Sequence, residues 1–250
     1  LRGYMDTDGV TMQWNERTAL LLGAEAVSCL EASRVMVVGV GGVGAYAVEA
    51  LARAGVGELI LVDSDVVALT NLNRQIPALH STIGAPKVEV MRRRVLDINP
   101  ACRVTALERF VDADSAGALL DELAPGFVID AIDSVAPKVA LIAGAYRRKL
   151  PMISSMGAGG RMDPSQIRYA DIADTFHDGL ARAVRQRLKA QGITSGVRTV
   201  FSTEQPRKSA LTFTDGMPNK LTSYGTVMWI PAMFGMYLAA YAVRRITGVK

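Results

Sequence analysis

Short, nearly continuous apolar runs recur along the chain at Val35–Val38, Glu58–Val62, Arg103–Leu107, Phe127–Ile132 and Pro151–Ser155. Runs of this length and character predict strands buried on both faces of a parallel sheet. Between them lie stretches with apolar residues at helical spacing: Val43–Ala54, Lys87–Ile98 (opened by Pro86 and closed by Asn99-Pro100), Ser115–Leu123 and Pro137–Lys149. Pro86 suits a first helical turn, where no backbone N–H is needed. A further helix is predicted over Glu16–Leu30, with Leu20, Ala24 and Val27 at helical spacing. After Gly157–Gly160 the alternation loosens into a strand at Gln166–Ile172, an arginine-rich helix at Asp178–Ala190 and a strand at Arg198–Ser202. A polar, irregular connector, Glu204–Lys220, follows, with Pro206, Gly216 and Pro218. Leu221–Val243 then carries no charged residue. That length could span a bilayer, with Arg244-Arg245 at a cytoplasmic end. Pro231 and Gly235 interrupt it and Thr222, Ser223 and Thr226 are polar, so the pattern predicts a helix buried in the core or at a dimer interface.

The stretch Arg34–Asp65 sharpens this picture. An apolar strand runs into Gly39-Val-Gly-Gly-Val-Gly44, a helix and a second strand follow, and that strand ends on Asp63. Strand, glycine turn, helix, strand and acid make the nucleotide-binding unit of a Rossmann-like, doubly wound α/β fold. Gly39 permits the tight turn, Gly41 and Gly42 let backbone N–H groups approach a phosphate, and Gly44 lets helix pack close on strand. The expected architecture is a mostly parallel sheet with a C-terminal extension of mixed strands and helices. We divide it into a leader (1–14), a nucleotide-binding core (15–160) and a substrate or dimer part (161–250), all in a single domain.

Composition narrows the function classes. Half of the 250 residues are apolar, enough for a sizeable core, and there is no internal repeat. Two cysteines, Cys29 and Cys102, exclude a disulfide framework and a four-cysteine zinc site, and suit a reducing cytoplasm. The first residues hold no apolar signal run. A net charge of +4 permits a nucleic-acid partner without requiring one.

Ligands of doubly wound sheets sit beyond the carboxyl ends of the strands. The glycine turn, Asp63 and Asp65, Asp133, and the long loop bearing Asn71, Asn73, Arg74, Gln75 and His80 all follow such ends, and Lys87 opens the next helix. Hydride transfer to NAD needs the turn, the ribose acid and a general acid/base, for which His80 and His177 are poorly placed. A triphosphate needs further cations and a carboxylate for Mg²⁺, which Arg74, Lys87 and Asp133 supply. Singly, Arg74 reads as a loop salt bridge, Lys87 as an exposed helix charge and Asp133 as a helix cap; together they favour ATP.

Gly39-x-Gly-Gly-Val-Gly44, Asp63-x-Asp65, Asn71-x-Asn-Arg74-Gln75, Gly84-x-Pro-Lys87 and Asp130-x-x-Asp133 resemble, in order and spacing, the adenylating family of ThiF, MoeB and ubiquitin-activating enzymes. The resemblance implies activation of a carboxylate as an acyl-adenylate with ATP and Mg²⁺. It implies that Asp63 holds the ribose, that Arg74 and Lys87 hold the phosphates, and that Asp133 holds Mg²⁺. Asn71 and Gln75 belong to the same loop signature, and Arg17 matches an arginine that reaches the phosphates of the other subunit in a homodimer. Zinc-binding CxxC pairs and a relay cysteine are absent: Cys29 and Cys102 fall at the other end of the sheet.

Val128–Ser134, Ile153–Ala158, Met162–Pro164 and Val200–Glu204 are similar to the tRNA threonylcarbamoyladenosine dehydratase branch of this family. That resemblance implies ATP-dependent cyclisation of a modified adenosine in tRNA without an enzyme thiol. It also implies work alongside a cysteine desulfurase and its sulfur acceptor. Candidate phosphate contacts are Arg147-Arg148-Lys149, Arg187, Arg198, Arg207-Lys208 and, on one face of a helix, Arg182, Arg185 and Lys189. The competing readings are an activator of a sulfur-carrier or ubiquitin-like tail and a non-catalytic nucleotide-binding adaptor.

Overall fold

In the computed structural model, which describes residues 4–5, 11–12, 14–213 and 222–249, two short strands come first. β1 (Tyr4–Met5) and β2 (Thr11–Met12) pair antiparallel as a sheet of their own. The helix predicted over Glu16–Leu30 is two helices, α1 (Glu16–Leu22) and α2 (Ala24–Glu31), broken at Gly23 where φ is +88°. α1 buries none of its residues, whereas α2 buries Ala26, Val27 and Leu30.

The nucleotide-binding alternation then appears in order: β3 (Arg34–Val38), α3 (Gly44–Ala54), β4 (Glu58–Val62), α4 (Lys87–Ile98), β5 (Arg103–Leu107), α5 (Ser115–Leu123), β6 (Phe127–Asp130), α6 (Val135–Arg147) and β7 (Met152–Ser155). β8 (Ile167–Asp171), α7 (Gly179–Lys189) and β9 (Arg198–Ser202) extend the same sheet. Its order is β5-β4-β3-β6-β7-β9-β8, parallel except that β8 runs antiparallel to β9. The residues labelled 161–250 from the sequence therefore supply two strands of the main sheet.

The strands are apolar on both faces because helices cover both. Val35 and Val37 of β3 join Leu59, Leu61, Phe127 and Ile129 in a core under α3, α4 and α8, the last helix (Trp229–Thr247). Met36 and Val38 point the other way, with Ile60, Val62 and Val128, toward α5 and α6. Fully burying one such side chain stabilises by about 1.5–3 kcal/mol. A third cluster, including Ile142, Val184 and Phe201, ties α7 to α6 and β9.

Within the predicted connector Glu204–Lys220 lies β10 (Leu211–Phe213), which pairs with β11 (Thr222–Tyr224). Gly216, Pro218 and the rest of 214–221 lie outside the described residues, as does most of the 1–14 leader. The apolar tail becomes α8, with Ile230, Phe234, Leu238 and Ala242 fully buried. Pro231 and Gly235, expected as interruptions, both sit inside it. Pro231 occupies the first turn, whose N–H groups have no intrahelical partner. Gly235 allows contact with α3, since a Cβ there would lie 2.4 Å from the Val43 carbonyl oxygen. Among the described residues, no helix is long and apolar enough to cross a membrane.

Candidate active site

Strand order reverses between β3 and β6, and the carboxyl ends of those strands open a crevice. The glycines at its floor have separate duties. At Gly39, φ is +88° and a Cβ would lie 2.7 Å from the Ala131 carbonyl oxygen; at Gly44 it would lie 1.8 Å from the Gly39 oxygen. The fold itself requires these two. Gly41 and Gly42 differ: a Cβ would meet only the Gln75 amide nitrogen at 3.6 Å, or the Arg74 Cγ and Pro231 Cβ at 3.5 Å. Those are ordinary contacts, so packing within the chain does not demand glycine there. Bare backbone at the start of α3 is what an approaching phosphate needs.

Asp63, at the end of β4, accepts the Val40 N–H at 2.6 Å on one oxygen and the Asp65 N–H at 2.8 Å on the other. Burial pushes its carboxyl above the ordinary value, against the pull of those N–H groups and Lys87. Lys87, buried at the start of α4, donates to the exposed carboxylate of Asp65 at 2.7 Å.

The β4–α4 loop folds over the glycines. Asn71 builds it: its side chain accepts the Ala68 N–H at 3.1 Å, and its carbonyl accepts the N–H groups of Arg74 and Gln75. Asn73 reaches across to the Thr226 carbonyl at 3.1 Å. Arg74 donates to the Thr70 carbonyl at 2.8 Å and to Asn73 Oδ1 at 2.9 Å. Burial lowers its guanidinium pKa, and the nearby Asp133 charge opposes that shift. Gln75 is buried, and its Oε1 has no hydrogen-bond partner. The Gln75 side chain lies against the bare glycine turn, and its unpaired buried oxygen is an acceptor left for a ligand.

Asp133 is exposed beyond the end of β6. Behind it lies a network that sequence reasoning missed. Lys138 is wholly buried and donates to Asp130 Oδ2 at 2.6 Å, to the Ser155 carbonyl at 2.8 Å and to Ser154 Oγ at 3.2 Å. Ser154 Oγ donates to the same Asp130 oxygen at 2.5 Å, and Asp130 Oδ1 accepts the Ile132 N–H at 3.0 Å. One ion pair thus joins β6, β7 and α6 beneath the Asp133 loop. The signal was a single lysine in the otherwise uncharged Val135–Tyr146 stretch.

The glycine-rich turn after β7 is fastened by a second buried cation. Arg161 donates to the carbonyls of Gly157, His177 and Glu204 and pairs with Asp178 at 3.3 Å. Asp178 also accepts the Gly157 N–H at 2.9 Å and caps α7 through the Ala181 N–H at 2.9 Å. Burial lowers the Arg161 pKa, with Asp178 and Glu204 opposing.

Other predicted residues lie elsewhere. Arg17 is exposed on α1 and makes no contact with the cleft of its own chain among the hydrogen bonds and ion pairs of the described residues. Arg185 is tied to the Thr175 carbonyl at 2.9 Å and to its hydroxyl at 2.7 Å, leaving Arg182 and Lys189 as the exposed members of that face. His80 is exposed, and His177 Nδ1 lies 3.0 Å from the Thr203 carbonyl oxygen. Cys29 is exposed on α2, and Cys102 is buried before β5, its thiol pushed up to about 11 by burial. Among the described residues, no three His, Cys, Asp or Glu side chains group as a metal cage.

The model of the ThiF family matches residues 15–250. A tRNA threonylcarbamoyladenosine dehydratase of Escherichia coli (strain K12) is 40% identical over 253 residues, 93% of this chain and 94% of that protein. One of Bacillus subtilis (strain 168) is 46% identical over 190 residues, 76% of this chain and 74% of its own. The crystal structure of the E. coli tRNA N6-threonylcarbamoyladenosine dehydratase in complex with ATP superposes with a TM-score of 0.83 at 39% identity, covering 98% of this chain and 97% of that one.

Proposed function

This chain belongs to the ThiF family, and from that premise we propose that its cleft binds ATP and uses it to cyclise threonylcarbamoyladenosine in tRNA. The overall step is a dehydration driven by adenylation. A threonyl carboxylate oxygen attacks the α-phosphorus of ATP, and the bond to pyrophosphate breaks. An internal nitrogen of the threonylcarbamoyl group then attacks the activated acyl carbon and loses its proton. AMP leaves carrying the former carboxylate oxygen, so the products are the cyclic nucleoside, AMP and pyrophosphate.

Each cleft residue has a part in this chemistry. Gly41 and Gly42 offer backbone N–H groups to the phosphates, and Arg74 and Lys87 hold negative charge as pyrophosphate departs. Asp63 accepts the ribose hydroxyls, and the free Gln75 oxygen accepts a further donor from the nucleotide. Asp65 keeps Lys87 oriented. Mg²⁺ commonly enters with a nucleotide and uses one or two carboxylates beside phosphates and water. Asp133, an exposed carboxylate within electrostatic reach of Arg74, suits that donor set. If bound there, Mg²⁺ would supply positive charge to offset that of the leaving pyrophosphate.

A homodimer completes the site in the same proposal. α1 exposes Leu20 by 80% and Leu21 by 82%, beside Arg17, and Trp14 just before it by 46%. Apolar side chains so exposed on one short helix call for a partner surface. A twofold arrangement lets Arg17 of each subunit reach its partner's phosphates.

The observation that carries this reading is the turn itself: two glycines that chain packing does not require lie against the side chains of Arg74 and Gln75, and the buried Gln75 oxygen has no hydrogen-bond partner. The test is purified protein, ATP, Mg²⁺ and tRNA bearing threonylcarbamoyladenosine, with nucleosides analysed by mass spectrometry under conditions that preserve the cyclic base. ATP-dependent appearance of the cyclic nucleoside is expected. Unchanged tRNA with an ATP-binding protein would refute it.

A further inference from the structure

At the end of the sheet opposite the nucleotide cleft, the starts of β6, β7 and β9 frame a cavity of about 550 Å³. Phe127 and Met152 line its depth, and Arg147, Lys149, Arg198 and Arg245 stand around its mouth, all exposed. Among the described residues, no acidic side chain lines it. None of these four cations is paired with a carboxylate among the described residues. Arg147 donates only to the neutral Gln191 side chain at 2.9 Å, and the Arg198 guanidinium lies 5.9 Å from the centre of the Tyr241 ring. Tyr146, 43% exposed, adds a second ring to the wall. Like charges gathered on a concave surface focus a positive potential that an anion relieves.

A second cavity, of about 520 Å³, runs along α6 between α5 and α7. Ala136, Ala140, Ala143 and Gly144 of α6 line it, Arg187 faces it from α7, and Asp114 is its one acidic lining residue among the described residues. It starts near Ala136, three residues beyond Asp133, and ends at Arg147, which lines both cavities. The 13 residues of α6 cover about 20 Å. A groove therefore leads from the rim of the nucleotide cleft to the basic cavity at the far end.

We propose that the basic cavity holds phosphodiester groups of the substrate tRNA, whose backbone leaves the cleft along the α6 groove. This rests on the tRNA-modifying reading above. Contacts of this kind position an RNA without reading its sequence, while Tyr146 and Tyr241 offer faces on which an unpaired base stacks. The RNA track thus runs past Arg187 and Arg147 to Arg198 and Arg245, rather than over the Arg182–Lys189 face.

The test compares the parent enzyme with Arg198→Gln/Arg245→Gln, its charge-keeping counterpart Arg198→Lys/Arg245→Lys, and Arg182→Gln/Lys189→Gln. The probe is tRNA bearing threonylcarbamoyladenosine, titrated over a range of salt concentrations, with thermal melting and ATP affinity measured alongside. The first variant should bind tRNA at least tenfold more weakly. The slope of log affinity against log salt should fall by about 1.5, since each lost phosphate contact removes roughly 0.7–0.9. ATP affinity and melting should hold, and the lysine pair should recover most of the tRNA binding. Unchanged tRNA affinity and slope in the glutamine pair, in a variant that melts like the parent, would overturn the proposal, as would a loss confined to Arg182→Gln/Lys189→Gln. If mononucleotide binding falls while tRNA binding holds, the cavity is a nucleotide site and the proposal fails. A parent enzyme with no affinity for tRNA fails the underlying functional reading, whatever the variants do.

Discussion

Gly41 and Gly44 stand in the same turn but answer to different constraints. A methyl group at Gly44 runs into the Gly39 carbonyl at 1.8 Å, whereas one at Gly41 meets only the Gln75 amide at 3.6 Å. Gly44→Ala should therefore cost about 1–3 kcal/mol or more of stability, read as a lower urea midpoint. Gly41→Ala should melt close to the parent yet weaken ATP at least tenfold. Saturating ATP would then protect it by about 1.4 kcal/mol less than the parent, read as a smaller ATP-induced rise in melting temperature. Asp63 gives a pH dependence with a definite sign. Its carboxyl is raised above 3.8 by burial, so the folded chain holds that proton more tightly than the unfolded one. Ionising it withdraws stability as pH rises from 3.8 through the raised value, and ATP affinity falls as pH drops back through that value. ATP titrations across this range should show that loss, and Asp63→Asn should flatten it. The cysteines should be dispensable: Cys102 has a thiol held near 11 at the end of the sheet away from the cleft. Cys29→Ser/Cys102→Ala should keep turnover within a few-fold; its disappearance in a folded protein would bring back a thiol relay.

At the scale of elements, the strands and most helices were legible because apolar period and glycine position are local properties. Gly39–Gly44 and Asp63 could be read because turn, helix N-terminus and strand end are fixed by neighbours along the chain. What was not legible depends on contacts distant in sequence. Lys138 looks like one charge in an apolar helix, and only the folded sheet reveals that Asp130 and Ser154 surround it. Pro231 and Gly235 look like helix breakers until α8 begins at Trp229 and leans on α3. Gly23, by contrast, did split a predicted helix, since its backbone takes a positive φ of +88° that no α-helix accommodates. Removing the Lys138 ammonium leaves a buried carboxylate uncompensated, so Lys138→Met should cost about 3–5 kcal/mol. Denaturant unfolding measures it, and a loss below 1 kcal/mol would mean the pair does not hold β6, β7 and α6 together.

Across the whole molecule, the sheet separates two kinds of chemistry: the proposed nucleotide groups at its carboxyl end and, at its amino end, a basic cavity whose cations pair with no carboxylate among the described residues. The proposed RNA surface was legible only in part: Arg147, Lys149, Arg187 and Arg198 stood out as candidate cations, but four separate segments bring them together with Arg245 only in the fold. The proposed subunit exchange of Arg17 is also a property of the assembly. Arg17→Ala and Lys87→Ala, each nearly inactive alone, should recover some turnover when mixed, since a mixed dimer holds one intact site; demonstrated heterodimers that stay inactive would exclude it. The central claim is that the cleft adenylates the threonyl carboxylate, and oxygen transfer reports on it directly. With tRNA whose threonyl carboxylate carries oxygen-18, single-turnover cyclisation should leave the label in AMP. Label found in orthophosphate or pyrophosphate, or cyclisation with unlabelled AMP, would contradict it.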